Sequence, residues 1–385
     1  MRIIHTSDWH LGRIFHGVHL TEDQAYILDQ FVRLAGDEKP DVVLIAGDIY
    51  DRSVPPTEAV RLLDEVLSRL LLDDGVPVIL IAGNHDSPER LAFGTRLLAR
   101  QGLHIAGQPG QDLSPVILSD TSGPVYFCPI PYAEPAVVRE KLTAPEAADH
   151  NLAMRCLVRQ VAALIPAGAR AVALAHAFVA GGEESDSERP LSIGGSGMVE
   201  ASCFEPFHYV ALGHLHQPQS VGGNHIHYAG SLLKYSFAEA GRRKSVTLVE
   251  MDGTGKLSLE TISLTPRREL RCLEGRIDEL LARPQSGENK DDYLMVTLTD
   301  QGAILDAIGK LREVYPNVLH IERPHLLTGG ELRGPSADHR RLGELDLFSS
   351  FFEQVTGTPL SEEQARAFIE TAEALHRQDR EVISR

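Results

Sequence analysis

The chain has 385 residues, 43% of them hydrophobic, with 17 histidines, 4 cysteines and a formal net charge of −17. That length allows two or three domains around at least one large core, and the acidic balance argues against a general nucleic-acid binder unless bound cations reverse the local sign. Cys128, Cys156, Cys203 and Cys272 are dispersed with no C-x-x-C pair, which argues against a zinc knuckle and a disulfide framework. The apolar runs, such as 76–82 and 171–175, are strand-sized, so no membrane span is expected. The N-terminus carries no signal-peptide pattern, and a cytosolic protein is the expectation.

The chain enters a strand at once, residues 3–6, and leaves it at Asp8-Trp9-His10. In an extended segment residues i and i+2 share a side, so Asp8 and His10 are expected to pair while Trp9 packs away from them. Thr21 to Gln24 reads as a capping box opening a helix with Ala25, Leu28, Phe31, Val32 and Ala35 on its apolar face. The run 41–46 is a continuous apolar strand ending at Gly47-Asp48. A helix over 57–72 follows, then a second buried strand, 77–82, ending at Gly83-Asn84-His85-Asp86. Ser87-Pro88 starts a helix expected to run to about Arg100. Short strands are expected over 103–106 and 125–129, a helix over 151–164, and a buried strand over 171–175 that ends at His176. Residues 181–199 read as a long polar loop. The strand 209–212 leads to Gly213-His214-Leu215-His216, and 226–228, 245–251 and 257–263 look like consecutive strands. Alternation of strand and helix makes this an α/β domain over 1–265.

Pro266 marks a change of character. Residues 266–325 hold strand and helix material sufficient for a small α+β domain. Residues 326–340, rich in Gly, Pro and His, read as a linker. Two helices close the chain within 341–385, one bearing Leu345, Leu347, Phe348, Phe351 and Phe352, the other opening at Ser361 with an S-x-x-Q cap. So much aromatic surface on a tethered tail either packs back on its own domain or awaits a partner protein, and the partner is the expectation.

Each buried strand of the first domain ends on a metal-ligand type: Asp8 and His10, Asp48, Asn84, His176, His214 and His216. In an open α/β sheet the functional crevice lies beyond the carboxyl ends of the strands, so these residues are expected to converge. Seven O and N donors exceed one ion's needs and suit two ions about 3.5–4 Å apart, bridged by Asp48. The first ion takes Asp8, His10, Asp48 and His216, and the second Asp48, Asn84, His176 and His214. With no thiolate, the donors suit manganese, iron or zinc better than magnesium alone. Two such ions activate a bridging water and stabilise charge on a phosphoryl group. His85 is placed to protonate the leaving oxygen as general acid, with Asp86 to orient it.

The motifs D-W-H, G-D-I-Y-D-R, G-N-H-D, the lone His176 and G-H-L-H resemble, in order and spacing, the calcineurin-like metallophosphoesterases over about residues 1–250. The resemblance implies two central sheets flanked by helices, with a small α+β capping domain and C-terminal helices. H-T-S-D-W-H-L-G-R, C-P-I-P-Y and Y-A-G-S-L-L-K-Y-S-F-A-E resemble the family's bacterial DNA nuclease subunits. From this follows a manganese-dependent double-strand exonuclease and single-strand or hairpin endonuclease, homodimeric and nucleoid-associated. It would depend on ATP through a coiled-coil ATPase that binds the tail, and serve DNA repair, replication and recombination. A phosphatase or cyclic-nucleotide phosphodiesterase on the same scaffold is the alternative. Where some relatives carry a second histidine, this chain has Asp51-Arg52, read as a phosphate-contacting Arg or a helix-capping ion pair. Arg13, Arg52, Lys234, Arg242 and Lys244 are candidates for backbone phosphate contacts. The helices 57–72 and 87–100 would form the dimer surface.

Overall fold

The computed structural model describes residues 1–110, 113–188, 191, 197–282, 289–300, 304–324, 345, 348–349, 352–353 and 356–371. The chain divides into two compact units, Met1–Glu269 and Leu270–Arg385. The linker expected over 326–340 lies outside the described residues.

The first unit is built on two six-stranded sheets. In chain order its strands are β1 (Arg2–Thr6), β2 (Val42–Ala46), β3 (Val78–Ile81), β4 (Leu103–Ala106), β5 (Val116–Asp120), β6 (Gly123–Ile130), β7 (Arg170–His176), β8 (Tyr209–Gly213), β9 (Gln219–Ser220), β10 (Ile226–Tyr228), β11 (Ser245–Met251) and β12 (Leu257–Ser263). The first sheet has the order β12-β11-β1-β2-β3-β4 and the second β9-β10-β8-β7-β6-β5. Within the first, β1 to β4 run parallel. In the second, β6, β7, β8 and β10 do the same. The continuous Val/Ile/Leu/Ala runs are what a strand covered on both faces requires. Ile3, Val42, Leu44, Ile79 and Ile81 of the first sheet share one buried cluster with Phe127, Val172, Leu174, Tyr209 and Ala211 of the second. On the other face of the second sheet, Cys128, Ile130, Ala173, Val210 and Leu212 join Ala153, Leu157, Val158 and Val161 from the helix His150–Ala162. Parallel strands send their carboxyl ends to one edge of each sheet, and this edge carries every strand-end residue singled out above.

Several local expectations change. The helix expected over 87–100 is broken into Pro88–Leu91 and Thr95–Leu98, followed by a 3-10 turn Ala99–Gln101, because Gly94 adopts φ +74° between them. The helix after β2 is regular over Thr57–Ser68 and continues as a π-turn over Arg69–Asp73. Thr21–Glu38 is helical but has no side-chain cap. Gln24, expected to cap it, is buried and turns instead to the loop after β1, donating to the His10 carbonyl at 2.7 Å and accepting from Gly12 N at 3.0 Å. The strands 226–228 and 245–263 are successive in sequence but belong to different sheets.

In the second unit three parallel strands, Leu270–Gly275, Tyr293–Leu298 and Val318–Glu322, pack with the helices Ile277–Ala282 and Ala307–Val314 around Leu294, Val296, Leu298, Leu311, Tyr315 and Val318. In the tail, Ser361 and Gln364 cap each other reciprocally at 3.0 and 3.3 Å, and the Phe348 and Phe368 rings stack at 4.1 Å. Among the described residues no helix is long and apolar enough to cross a membrane.

Candidate metal centre

The donor side chains leave the sheets on sharply turned backbone. Asp8, His10, Asp48 and His214 have φ of +53°, +46°, +49° and +109°, a region that L-residues enter at a cost of about 1–3 kcal/mol each. The extended geometry expected for Asp8-Trp9-His10 is therefore absent: left-handed turns, not strand alternation, bring Asp8 and His10 to one side. Cross-strand hydrogen bonds hold those turns, from Asp8 N to Gly47 O at 3.1 Å and from His10 N to Asp48 O at 2.9 Å. Trp9 is buried; its Nε1 donates to Thr6 Oγ1 at 3.0 Å and its ring meets Phe31 edge-on at 5.7 Å.

Asp48 Oδ2 stands 3.6 Å from His10 Nε2, 3.5 Å from His176 Nε2 and 4.0 Å from His85 Nε2. His10 Nε2 and His216 Nε2 are 3.0 Å apart, and His176 Nε2 lies 2.9 Å from Asn84 Oδ1. Two donors in adjacent positions of an octahedral shell with ligand distances of about 2.1 Å stand about 3.0 Å apart, so both spacings fit a shared cation. Among the described residues, Asp8, His10 and His216 offer donors within 4.8 Å of one another, as do Asp8, Asp48 and His176, and His10, Asp51 and His85. None of these groups contains a cysteine. His214 reaches the site differently: its amide donates to Asp8 Oδ1 at 3.0 Å, and its ring lies edge-on to His176 at 5.5 Å.

Burial pushes His10, His214 and His216 well below the usual imidazole range, and His176 down less, because Asp48 opposes the shift. Neutral imidazole is the form that ligates metals. Burial, and then Asp48, push Asp8 well up. Two buried carboxylates facing each other carry a desolvation and repulsion cost that a divalent cation relieves. The donor set thus fits a pair of divalent ions by spacing and by charge.

Glycine precedes the donors because there is no room for a side chain. A Cβ on Gly83 would lie 2.1 Å from Asp48 Oδ1, and one on Gly213 1.8 Å from Ala46 O. Gly83→Ala is expected to displace the Asp48 carboxylate, cost about 1–3 kcal/mol by overpacking, and weaken Mn2+ uptake. Calorimetric titration and a melting curve check this; unchanged uptake would show that Asp48 can move freely.

The other expected residues divide. His85 Nδ1 donates to Asp51 O at 2.8 Å, leaving Nε2 towards Asp48. Asp86 does not orient it. Its carboxylate accepts from Gly83 N at 2.9 Å, Ile49 N at 3.1 Å and Tyr50 N at 2.9 Å, which ties the loops after β2 and β3 together. Burial and Asp48 raise Asp86 to about 7 against the pull of these amides. Asp51 pairs with Arg13 at 3.0 Å rather than with Arg52, and the N-cap position of the following helix is Pro56, with no side-chain cap, so the helix-capping ion pair is absent. Lys244 and Lys234 are corrected as DNA contacts. Both are buried: Lys244 Nζ donates to His216 O at 2.7 Å and pairs with Glu239, and Lys234 Nζ donates to Ala240 O at 2.7 Å and pairs with Glu269. Arg13 lies over the Tyr235 ring at 4.8 Å, Arg52 is exposed and Arg242 half-buried.

Gln24, Tyr235, Ser187, Glu188 and Glu239 also belong to the site, though in sequence Gln24 reads only as a helix cap and Tyr235 and Glu239 only as parts of the Y-A-G-S-L-L-K-Y-S-F-A-E run. Tyr235 OH donates to Trp9 O at 2.6 Å. The segment 183–188 does not merely cover the crevice: Glu188 Oε1 accepts from His216 N at 2.7 Å, and Ser187 Oγ lies 2.6 Å from His216 Nδ1. In sequence 183–188 is part of what reads as a long polar loop, and no periodicity marks such contacts.

Residues 1–138 match the family model for calcineurin-like phosphoesterases, and with the two-sheet α/β scaffold this makes the first unit a calcineurin-like metallophosphoesterase domain. Residues 266–356 match the model described as the type 5 capsule protein repressor C-terminal domain. Over 365 residues, 95% of this chain and 96% of the relative, the sequence is 33% identical to the SbcCD nuclease D subunit of Staphylococcus epidermidis. The chain belongs to the family of SbcCD nuclease D subunits. Two solved structures are also similar at 14% identity over 68% of this chain: a protein of Thermus thermophilus, with 98% of its chain covered and a TM-score of 0.37, and a dimetal phosphatase from Danio rerio, with 96% covered and a TM-score of 0.42.

Proposed function

We propose that this chain is the nuclease subunit of an SbcCD-type complex, hydrolysing DNA phosphodiester bonds at a two-metal centre. The ligands are Asp8, His10, Asp48, Asn84, His176, His214 and His216, and the ions are Mn2+, which suits imidazole, carboxylate and amide oxygen without thiolate. The observation that carries the reading is the Asp48 carboxylate, within 4.0 Å of imidazoles from three different strand ends. Two divalent ions in such a site supply activation of a water and charge stabilisation on the phosphoryl oxygens. The chain's own part is to fix the donors: His176 and His216 each have Nδ1 within hydrogen-bonding distance of an oxygen, at 2.9 and 2.6 Å, with Nε2 turned inward. His85, whose Nδ1–H is held by the Asp51 carbonyl, delivers a proton from Nε2 to the leaving oxygen. Arg13, Arg52 and Arg242 are the remaining candidates for the DNA backbone. The decisive assay offers linear duplex and hairpin DNA with Mn2+, with and without an SbcC-type coiled-coil ATPase. DNA left intact while a mononucleotide ester is cleaved would replace this reading by the phosphatase one.

The same reading places the protein in the cytoplasm with the nucleoid, acting in DNA repair, replication and recombination as a homodimer. Val54, Val60, Leu72, Phe93 and Leu97 are exposed, and a groove of about 550 Å³ runs between the helix Thr57–Ser68 and the broken segment after it. An apolar patch of this kind marks an interaction surface. Phe93→Asp with Leu97→Asp is expected to halve the mass measured by light scattering; an unchanged dimer would move the interface elsewhere. The tail is assigned to the ATPase subunit. Deleting residues 342–385 is expected to abolish co-purification with that subunit while leaving Mn2+-dependent cleavage of short DNA, and retained co-purification would refute the assignment.

A further inference from the structure

The loop 183–188 and the segment 231–244 lie far apart in sequence and meet behind His216. Ser187, Glu239, Lys244 and His216 are exposed by only 8%, 1%, 5% and 1%, so the polarity of their hydrogen bonds is set by protein groups alone. Lys244 Nζ donates to His216 O at 2.7 Å and Ser231 Oγ at 2.8 Å, and its ammonium pairs with Glu239 Oε2. The Glu239 carboxylate accepts on its other oxygen from Ser187 Oγ at 2.7 Å. A hydroxyl has one proton to give. Ser185 Oγ, 2.8 Å from Ser187 Oγ, gives its own proton to Glu188 Oε2 at 2.7 Å, so whether the Ser187 proton goes to Glu239 or to Ser185, Ser187 Oγ is left to accept from His216 Nδ1, 2.6 Å away. His216 is thereby held as the Nδ1–H tautomer, with the Nε2 lone pair facing His10 Nε2 at 3.0 Å. Glu188, accepting from His216 N at 2.7 Å and Ser185 N at 2.6 Å, clamps the loop in place.

We infer that Ser187, backed by Glu239 and Lys244, is the positioning residue of His216, setting the tautomer in which His216 can hold the first metal ion. The inference rests on the two-metal reading above. Outer partners of metal-bound histidines typically govern affinity by 10–100-fold. Lys244 thus acts from behind the site.

The test is Mn2+ titration of the full-length protein, read from the electron paramagnetic resonance signal of free Mn2+, with circular dichroism to check folding. Ser187→Ala is expected to weaken one of the two ions by about 10–100-fold and leave the other unchanged, while Ser187→Thr, which keeps the hydroxyl, stays close to wild type. Glu239→Gln is the second variant. Its amide oxygen is drawn to Lys244, so its N–H faces Ser187 and competes with His216 Nδ1–H for the hydroxyl oxygen, while the Ser187 proton turns to Ser185 Oγ, 2.8 Å away, or to His216 Nδ1. It is expected to weaken the same ion. Unchanged binding in Ser187→Ala, or equal loss of both ions, would overturn the role. A wild-type protein that binds no Mn2+ removes the metal reading and this inference together, whereas normal wild-type binding with normal Ser187→Ala binding removes this inference alone.

Discussion

Asp48→Ala is expected to lower Mn2+-dependent DNA cleavage by more than about 1,000-fold, beyond the loss of a single stabilising donor. The carboxylate is buried, faces His10, His176 and His85 within 4.0 Å, and also accepts from His85 N at 2.9 Å. Its removal would take a shared donor from both ions and release the loop that carries His85. Stability should move the other way in metal-free protein. Asp8 is pushed up by burial and by Asp48, so Asp48→Asn relieves repulsion and is expected to raise the melting temperature in chelator, while losing the rise that Mn2+ gives the wild type through binding. Activity, Mn2+ uptake and melting curves with and without chelator check each part. Two ions retained at normal affinity in Asp48→Ala would remove it from the bridging position.

His85→Ala is expected to cost about 100- to 10,000-fold on DNA, the range for a lost general acid, with Mn2+ uptake nearly normal. Its Nδ1 is occupied by Asp51 O at 2.8 Å, and its side chain is 12% exposed, against 1% for His10, so it is placed to face a substrate. A substrate that needs no proton on its leaving group separates the roles. On bis(p-nitrophenyl) phosphate the variant should lose much less than on DNA. Equal loss on both, together with weakened metal uptake, would make His85 a ligand instead of an acid.

Much of the architecture was legible because it rests on local signals. The apolar runs at 42–46, 78–81 and 209–213 are wholly buried strands, and a run of that composition has few other stable placements. Helix interruptions were less legible: Gly94 costs little by itself, and only packing decides whether a helix passes through it. The capping box at Thr21 failed for the same kind of reason. Gln24 gained more by satisfying Gly12 N and His10 O in the core than by reaching back to its own helix end.

The site divides along the same line. Residue type and position after a strand were enough to single out Asp8, His10, Asp48, Asn84, His176, His214 and His216, because parallel strands must deliver their carboxyl ends to one crevice. How they get there was decided by tertiary structure. Asp and His enter positive φ more readily than most residues, but residue type alone does not say that Asp8, His10, Asp48 and His214 do so, and long-range hydrogen bonds hold them there. Charge was the least transferable signal. Lys234 and Lys244 look like surface cations in sequence, but burial and the partners Glu269 and Glu239 turn them inward. The D-W-H stretch was read as a pair of donors on an extended strand; it is two left-handed turns with a tryptophan packed between them. By itself the sequence determined which candidate donors follow which strand ends, since this depends on neighbours in the chain. Tautomers, ion pairs and the residues behind the donors were decided only by the tertiary structure, because each depends on groups that folding brings from far along the chain.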